Sequence, residues 1–512
     1  MRRRCPAALL LALLAACGDE QAPVEAAPDA GTEVTGFGAF PRANLVIISL
    51  DTLRADSTSV GGGPADISPS LAAFAEGAVV FEHARAQAPH TAPSHMTLFT
   101  STLPSVHGVQ NVAFKAEVAN GESRAVIVPA REDVPTLAEV LKASGYRTVG
   151  LTDGGNLNPP HGFPRGFDTY TYDLAGGEAK VAAGVEQIGQ LTAQDAGPFF
   201  LFWHTYQIHA PYCPPDEYIA HWAPDDYTGV LRERLDSLEG MSFKERFSAM
   251  KTVFWKDRDS FAEPEARFLH GVYQGGIRYT DDLLAGLFAA LRDHGLYDTA
   301  VIVVLGDHGE EFHEHGHWQH EQVFEECLRV PLMVRLPGGR QGGTRLATPV
   351  GLIDVMPTVL DLLGIETDTL ALPGRVRRGG RSLAGNLLSG QEPKRLPIIS
   401  ELIYDRGEGG DFERLVAIYA NDQKFVQDRV RGKRMDGKVI WQRHLYDLTT
   451  DPDERTDLIA AGRGGAVEKS FEGLLAGFDR MVELERASEK ERDAVPVTPE
   501  EEEQLRQLGY IK

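Results

Sequence analysis

The sequence is poor in cysteine and has no excess of basic residues, and each scarcity excludes a class of protein. Four cysteines in 512 residues are too few for a disulfide-rich secreted scaffold. The formal net charge of −23 at pH 7 provides no basic field that could displace counterions from a polyphosphate, so we expect no nucleic-acid partner. Such an acidic protein binds an anionic substrate only where metal ions or local cations reverse the field.

Apolar runs long enough to cross a membrane are also missing, so the amino terminus is the candidate for membrane attachment. Met1–Arg4 is positively charged, and the apolar segment Ala7–Leu14 is too short to span a bilayer. The following Leu14-Ala15-Ala16-Cys17 resembles a bacterial lipobox. We therefore predict that residues 1–16 are a lipoprotein signal peptide and that the exported chain is anchored in the cell envelope by lipid on Cys17. An ordinary secretory signal with an incidental cysteine is the alternative.

The segment after this signal is rich in Gly, Ala, Pro and acidic residues and has no apolar periodicity. Residues 17–40 are therefore predicted to be a flexible tether. The cysteines that remain after lipidation are Cys213 and Cys327. An exported protein can pair two such thiols, but we expect two buried, unpaired side chains.

Nearly continuous apolar runs begin at residue 45 and are typical of parallel strands covered on both faces. They occupy Leu45–Leu50, Arg147–Thr152, Pro198–Trp203, Ala300–Leu305 and Pro331–Leu336. Helical segments lie between them, from Ser68 to Gly77, from Val134 to Gly145 and from Thr280 to His294. Alternating strands and helices predict an α/β fold with a mostly parallel sheet between helices. Pro214–Glu263 is expected to be a loop region that carries substrate specificity.

Polar residues follow several of these strands, at the points where the apolar runs end. Asp51 follows the first run, His204 and then His209 follow the third, and Asp307-His308 follows the fourth. Ligands of open α/β sheets bind at the carboxyl ends of the strands, so these side chains are expected to meet at one edge. A lone acid after a strand is commonly a helix cap. Two acids and a histidine on two strand ends instead favour a divalent metal.

Three further features suggest catalytic residues. Thr91 stands at the start of a helix opened by Pro93, where it is either the N-cap or a nucleophile beside the positive end of the helix dipole. Five histidines cluster in one short segment, and we expect two of them to be functional and the others to be surface groups. They are His308, His313, His315, His317 and His320. His209 is placed to stabilise developing charge or to protonate a leaving group.

These segments resemble the sulfatase family of the alkaline phosphatase superfamily. Asn44–Gly61 resembles the opening strand with its metal-binding acid, and Thr91–Gly108 resembles the nucleophile motif and its helix. Asp307-His308-Gly309-Glu310 and the segments around His209 and His320 occur in the family's order, and the resemblance covers residues 44–460. It implies a three-layer α/β sandwich as the catalytic domain over residues 41–390, followed by a small α+β subdomain and tail over residues 391–512.

The resemblance also implies roles for individual residues. One divalent cation would be held by Asp51, Asp307 and His308, with Thr91 completing its shell. His209 and His320 would contact the transferred group. Arg54 is expected to add positive charge.

The chain departs from the family pattern at the nucleophile. Sulfatases carry Cys or Ser in a C-x-P-x-R motif that is converted to formylglycine, whereas this chain has Thr91 and, at the last position, His95. The extra methyl of threonine cannot yield that aldehyde, so no formylglycine is expected. Thr52 replaces an acid that many sulfatases use for calcium. The site is similar to threonine-nucleophile phosphodiesterases and phosphoethanolamine transferases, which use zinc.

The resulting functional hypothesis is a hydrolase of sulfate or phosphate esters that acts through Thr91. Zinc is the expected metal, with calcium or manganese as alternatives. A second metal is left open, with Asp281 as a contributor or as a surface acid. The substrate would be a small molecule, a glycan or a lipid headgroup. The alternatives are a phosphodiesterase, a phosphoethanolamine-type transferase, and a catalytically silent relative that binds glycan or lipid.

Overall fold

The protein is described here from a computed structural model. The described residues are 36–110, 114–117, 123–173, 176–193, 197–241, 243–377, 379–406, 412–435, 438–486 and 495–507. The predicted signal peptide and Cys17 lie outside them.

Most strands belong to a large central sheet or to a smaller sheet near the carboxyl terminus. In chain order the strands are β1 (Leu45–Leu50), β2 (Val79–Arg85), β3 (Phe114–Glu117), β4 (Ser123–Ile127), β5 (Arg147–Thr152), β6 (Thr169–Tyr172), β7 (Phe199–Thr205), β8 (Val301–Gly306), β9 (Glu311–Phe312), β10 (Trp318–Gln319), β11 (Arg329–Arg335), β12 (Arg345–Leu346), β13 (Val350–Gly351), β14 (Ile398–Arg406), β15 (Phe412–Ala420), β16 (Gln423–Met435), β17 (Lys438–Asp447) and β18 (Val495–Pro496).

Helices lie between the strands of the central sheet and after the smaller one. They are α1 (Pro69–Ala75), α2 (Thr91–Thr100), α3 (Pro104–His107), α4 (Leu137–Ala143), α5 (Gly177–Ala193), α6 (Asp216–Trp222), α7 (Val230–Asp236), α8 (Phe243–Phe254), α9 (Glu263–Asp293), α10 (Glu325–Leu328), α11 (Val355–Leu362), α12 (Ala384–Ser389), α13 (Gly465–Arg486) and α14 (Pro499–Gln507). Short 3₁₀ turns occupy Gly155–Leu157, Pro159–His161, Arg258–Ser260, Pro337–Gly339, Leu352–Asp354 and Thr367–Thr369.

The central sheet has the order β12-β2-β11-β8-β1-β7-β5-β6. Strand β1 is parallel to β7 and β8, whereas β11 is antiparallel to β2 and β8. Alternate residues of β1 belong to different apolar clusters, with Ile47 on one face and Ile48 on the other. Both faces are therefore covered, and the predicted mostly parallel α/β sandwich is confirmed.

The register of the sheet decides where the site is built. Leu50, the last residue of β1, is level with Thr205 of β7 and with Gly306 of β8. The next residues, Asp51 and Asp307, consequently leave the sheet side by side at its carboxyl edge. This is the edge at which ligands bind in open α/β folds.

The long helix α9 differs from its prediction. It begins at Glu263 rather than at Thr280, because Pro264 occupies its first turn and the Glu265 carboxylate accepts a hydrogen bond from Ala262 N (3.1 Å). The preceding segment was expected to be a loop, but it contains α6, α7 and α8. Gly275 lets α9 approach α6 closely, since a Cβ there would lie 3.0 Å from Tyr218 O.

The carboxyl-terminal sheet runs β14-β15-β16-β17 and is antiparallel, as the predicted α+β subdomain requires. Helix α13 packs on it through Phe471 and Phe478. The final residues return to the first part of the chain, because β18 pairs with β4. Helix α14 follows, and its Thr498 and Glu501 form reciprocal capping hydrogen bonds.

Residues 36–40, assigned above to the tether, pack on the fold instead. Gly38 N donates to Asp361 O (2.7 Å) and Phe40 N donates to Leu362 O (2.9 Å). Phe40 also contacts the core, and its apolar burial explains why this part of the tether prediction is wrong. None of the helices in the described part of the chain is long and apolar enough to cross a bilayer.

Candidate active site

Two buried aspartates and a histidine converge at the carboxyl edge of the central sheet. Ligand atoms of Asp51, Asp307 and His308 all lie within 4.8 Å of one another. Asp51 Oδ1 and Asp307 Oδ2 are buried and have no hydrogen-bond partner among the described residues. Buried acceptors without partners are costly, so this donor set fits a bound cation.

Backbone contacts hold these three side chains in place. Asp307 Oδ1 accepts hydrogen bonds from Thr52 N (3.1 Å) and His308 N (2.9 Å), which directs Oδ2 to the cluster. His308 Nδ1 donates to Gly309 O (2.9 Å), so Nε2 carries the lone pair of the neutral ring. Nε2 lies 3.5 Å from Asp307 Oδ2 and 3.9 Å from Asp51 Oδ1.

A sharp turn after β1 supports the first aspartate. Thr52 has a left-handed φ of 55°. Tyr273 of α9 stabilises this turn, because its hydroxyl donates to Thr52 O (2.7 Å) and accepts from Arg54 N (3.0 Å). The long helix therefore fixes the geometry of the loop that carries Asp51.

The electrostatics of the cluster also favour a cation. Burial, and then the charge of Asp307, raise the pKa of the Asp51 carboxyl well above its usual range. Burial raises the pKa of Asp307 to about 7. Burial lowers the pKa of His308, which keeps its ring neutral and able to act as a ligand. Two carboxylates and one imidazole suit zinc, and carboxylates also bind manganese or calcium.

Thr91 lies beside this cluster as the first residue inside α2. Its Oγ1 is 3.3 Å from His308 Nε2. The N-cap of α2 is His90, so the interpretation of Thr91 as the N-cap is wrong. Ser94 ties the helix to the metal-site strand, because its hydroxyl donates to Asp307 O (2.7 Å). The Thr91 hydroxyl is thus held at a helix amino terminus next to the acids.

Two imidazoles predicted to contact the transferred group lie near His308. The ring centroid of His320 is 4.6 Å from that of His308 and 5.3 Å from that of His209. His320 Nδ1 is 2.9 Å from Glu310 Oε1, and His209 Nδ1 donates to Ala210 O. Burial lowers the pKa of His209 to about 3. His209 is therefore neutral, whereas the contact with Glu310 fixes the orientation of the His320 ring.

Two further histidines contact the side chains of this cluster. His204 Nε2 is 3.0 Å from Asp51 Oδ2. His95 lies between Thr91 O, 2.9 Å from Nδ1, and Ser49 Oγ, 2.8 Å from Nε2. His204 follows the third apolar run and lies at the sheet edge where the sequence predicted it. The role of His95 depends on contacts with β1 that no local pattern shows.

Arg54 is not aimed at the metal cluster in the way the prediction supposed. Its Nε and Nη2 donate to both Asp56 oxygens (2.9 and 2.7 Å), and its Nη1 donates to Glu314 (2.6 Å) and to Glu310 O (3.0 Å). Most of its donors are therefore occupied by protein acceptors. Its contribution is to fix the loop that carries Glu310.

Asp281 is neither a metal ligand nor a surface acid. Its carboxylate is 1% exposed and accepts hydrogen bonds from Ser70 N (2.7 Å) and Leu71 N (2.9 Å). It therefore caps the amino terminus of α1 from the neighbouring helix. Among the remaining clustered histidines, His315 stacks on Phe324 with ring centroids 3.6 Å apart and is not a surface group. Cys213 and Cys327 are buried and free.

Comparisons with known proteins agree with this architecture. The Sulfatase family model matches residues 43–365. The chain is 25% identical over 465 residues to a choline-sulfatase of Rhizobium meliloti strain 1021, covering 83% of each chain.

Two solved structures share the fold. A phosphonate monoester hydrolase of Agrobacterium radiobacter has a TM-score of 0.64 at 20% identity, over 90% of this chain and all of that one. A protein solved with its substrate D-glucosamine-2-N,6-O-disulfate has a TM-score of 0.64 at 18% identity, over 88% of this chain and all of that one.

Proposed function

The chain belongs to the sulfatase family, and we propose that it cleaves sulfate or phosphate esters with Thr91 as the nucleophile beside a divalent cation. Its membership of that family makes it an ester hydrolase of sulfuric or phosphoric esters. The observation that carries the proposal is the 3.3 Å separation between Thr91 Oγ1 and His308 Nε2, within the same buried cluster as two unpartnered acid oxygens.

Asp51, Asp307 and His308 would hold the cation, and zinc is the metal we propose. When bound, the cation supplies positive charge that lowers the pKa of the Thr91 hydroxyl and offsets charge on the ester. Thr91 Oγ1 attacks the sulfur or phosphorus, and the bond to the leaving alcohol breaks. Water then attacks the threonyl ester and regenerates the hydroxyl.

The two imidazoles take different parts in this proposal. His320, oriented by its contact with Glu310, donates a proton to the leaving oxygen. His209, with its Nδ1 proton held by Ala210 O and its ring beside His320, would orient the ester for attack.

Thr91 itself favours phosphoryl chemistry as a second candidate. A formylglycine hydrate can expel sulfate by collapsing to the aldehyde, whereas a threonyl ester must be displaced by water or by an acceptor. Phosphate or phosphonate esters suit that second displacement. If the acceptor is another alcohol, the same site would act as a transferase of the phosphoethanolamine type.

The test is a panel of aryl sulfates, phosphomonoesters, phosphodiesters and phosphonate monoesters, assayed with Zn²⁺, Mn²⁺ or Ca²⁺. Thr91→Ala is expected to lower kcat for the preferred substrate by about 10⁴-fold, since it removes the attacking atom. Thr100→Ala, which removes a hydroxyl bonded to Met96 O in the same helix, is the control and should retain activity. Activity of Thr91→Ala equal to that of the wild type would overturn the nucleophile, and inactivity of the wild type on every ester would favour a silent binder.

We also propose that the protein is exported and anchored by lipid on Cys17. Its support is the lipobox-like sequence alone. Metabolic labelling with radioactive palmitate should mark the wild type and not Cys17→Ser. Equal labelling of both proteins would exclude the anchor. The proposed substrate is a small-molecule, glycan or lipid-headgroup ester.

A further inference from the structure

A cavity of about 310 Å³ lies apart from the catalytic cluster, between the central sheet and the carboxyl-terminal sheet. The central sheet contributes the ends of β2 and β11, and the other wall is the turn that joins β15 to β16. Its lining contains four basic residues and two acids, namely His83, Arg85, Arg329, Arg395, Glu325 and Asp422. The volume is at the lower end of the range for small-molecule sites.

The arginines of this cavity are not equally neutralised. Arg85 pairs with Glu325 (2.8 Å) and lies over the Tyr419 ring, 3.9 Å from its centroid. Arg395 pairs with Asp422 (2.6 Å).

Arg329 differs from the other two arginines. Its Nε and Nη2 donate to the Glu82 carbonyl oxygen (3.3 and 3.1 Å), and no carboxylate among the described residues forms an ion pair with it. The N–H groups of Nη1 are therefore available to donate hydrogen bonds to a ligand. Within the described residues, Arg329 is therefore the arginine of this cavity that no carboxylate contacts as an ion pair, although it lies in the field of Glu325 and Asp56.

The neighbouring histidine reports the same positive field. Burial lowers the pKa of His83, and the charges of Arg329 and Arg85 lower it further, outweighing the opposite effect of Glu325 and Glu82. A wall that disfavours an additional positive charge favours an anion. His83 and Arg329 also line an adjoining cavity of about 520 Å³, so the guanidinium is approached from two sides.

We propose that this cavity is a second anion site that binds a sulfate or phosphate group, with Arg329 as its principal donor. The planar guanidinium matches the oxygens of a tetrahedral oxyanion in a way that an ammonium does not. Arg85, paired with Glu325 and placed over the Tyr419 ring, forms a fixed wall beside Arg329. The volume leaves room for a sugar-sized group attached to the anion.

The cavity lies at the same edge of the sheet as the catalytic cluster. Arg329 pairs with Arg85 across β11 and β2, and its carbonyl accepts from Ala55 N (3.1 Å) in the loop after Asp51. Strand β11 is two positions from β1 in the sheet, which corresponds to about 10 Å. The anion is therefore either free sulfate or phosphate, or an anionic substituent of the same substrate. The proposal that the anion is part of the substrate rests on the function proposed above.

Selenate, a sulfate analogue with an anomalous signal, tests the site directly. Crystals of the full-length wild type soaked in selenate should show the anion within hydrogen-bond distance of Arg329. Arg329→Gln should lose it, and Arg329→Lys, which keeps the charge, should retain part of the occupancy. An empty cavity in the wild type, or equal occupancy in Arg329→Gln as expected of an adventitious ion only, would overturn the proposal. This readout does not require ester hydrolysis.

Kinetic measurements distinguish a free anion from an anionic group of the substrate. If the anion is a substrate group, Arg329→Gln should raise KM by about tenfold for a disulfated sugar and leave KM for a monosulfated aryl ester unchanged. If the anion is free, KM should be unchanged for both, while titration calorimetry with sulfate loses the cavity site. Melting temperatures of all variants verify folding, and Arg232→Gln, whose guanidinium lies over Phe268 away from the cavity, is the matched control.

Discussion

Asp51 and Asp307 leave neighbouring strands side by side, and their like charges make the metal-free site unfavourable. Both carboxylates are buried, and the pKa of each is raised. The protein therefore stores repulsion that a divalent cation would relieve. The cost is local to the site, because the backbone hydrogen bonds to Asp307 Oδ1 do not depend on the second oxygen.

Asp307→Asn should weaken zinc binding and stabilise the metal-free protein. The amide oxygen can still accept from Thr52 N and His308 N, but the ligand charge is gone. We expect zinc affinity to fall by more than about tenfold. At pH 8 the metal-free variant should be more stable than the metal-free wild type, on the order of 2 kcal/mol, because one buried charge is removed. Zinc content by mass spectrometry and urea unfolding after chelation measure the two effects.

The control for this prediction is a surface aspartate. Asp226→Asn removes an acid that pairs with Arg267 in solvent, and it should change neither zinc content nor stability appreciably. A variant Asp307→Asn that binds zinc as tightly as the wild type would remove Asp307 from the ligand set.

At the scale of elements, the hairpin of β9 and β10 depends on a single buried acid. Glu311 Oε1 accepts hydrogen bonds from His315 N (2.8 Å) and His317 N (3.0 Å), which closes the hairpin turn. Its Oε2 is buried and has no hydrogen-bond partner among the described residues. Burial raises the pKa of Glu311 to about 7, and the two backbone donors only partly offset that effect.

The pH dependence of stability follows from this raised pKa. Between the ordinary pKa of a glutamate, 4.5, and about 7 the folded state binds a proton that the unfolded state has lost. The stability contributed by Glu311 is therefore present below pH 4.5 and is lost as the pH rises to about 7. Glu311→Gln keeps the acceptor and cannot ionise, so it should exceed the wild type by on the order of 2 kcal/mol at pH 8.

Urea unfolding of both proteins at several pH values measures this difference. The gap between variant and wild type should be small at pH 4.5 and should widen up to pH 8. A gap that is constant over this range would show that Glu311 does not titrate in the folded protein. Glu366→Gln, at an exposed 3₁₀ turn, is the control.

The sequence predicts the elements whose signal is local. Strand β5 has the predicted bounds, and β1 ends where the apolar run ends, which is why Asp51 and Asp307 could be assigned to one edge. Strand β2 was missed because Glu82 and His83 interrupt its apolar pattern. Its position is fixed by pairing with β11, a contact between segments far apart in the chain.

The same limit applies within the site. His308 and Thr91 carry motifs that are visible in the sequence, whereas the pairing of His320 with Glu310 depends on how the loop after β8 folds. Asp281 shows the opposite error, because an acid on an amphipathic helix has no local feature that predicts capping of a different helix. Hydrogen bonds such as these, between side chains and distant elements, are therefore seen only in the folded structure.

At the scale of the whole molecule, buried charges join the carboxyl-terminal sheet to the central sheet. Lys424 of β16 is fully buried, with Nζ 2.7 Å from Glu454 Oε1 and 3.6 Å from Glu325 Oε1. Glu454 Oε2 accepts from Glu325 N (2.7 Å) at the start of α10. Glu325 also pairs with Arg85 of β2, so the network spans both sheets.

Removing one charged residue of this network should lower the free energy of unfolding more than removing two. Lys424→Met leaves the Glu454 carboxylate buried without its counterion, and we expect a loss of about 3 kcal/mol in the free energy of unfolding. The double variant Lys424→Met/Glu454→Gln removes both charges and keeps the acceptor for Glu325 N. It should recover most of the lost stability, since Glu325 retains Arg85 as a partner.

Urea unfolding followed by circular dichroism decides between two accounts of this junction. If the double variant is as unstable as Lys424→Met, the lysine stem contributes by packing and the charge pair contributes little. If it recovers, the network is a matched pair whose halves depend on each other.

The same network is connected to the proposed anion site through Glu325, which contacts both Lys424 and Arg85. Loss of Lys424 leaves the Glu325 charge to Arg85 alone. Lys424→Met should therefore weaken selenate binding in the adjoining cavity.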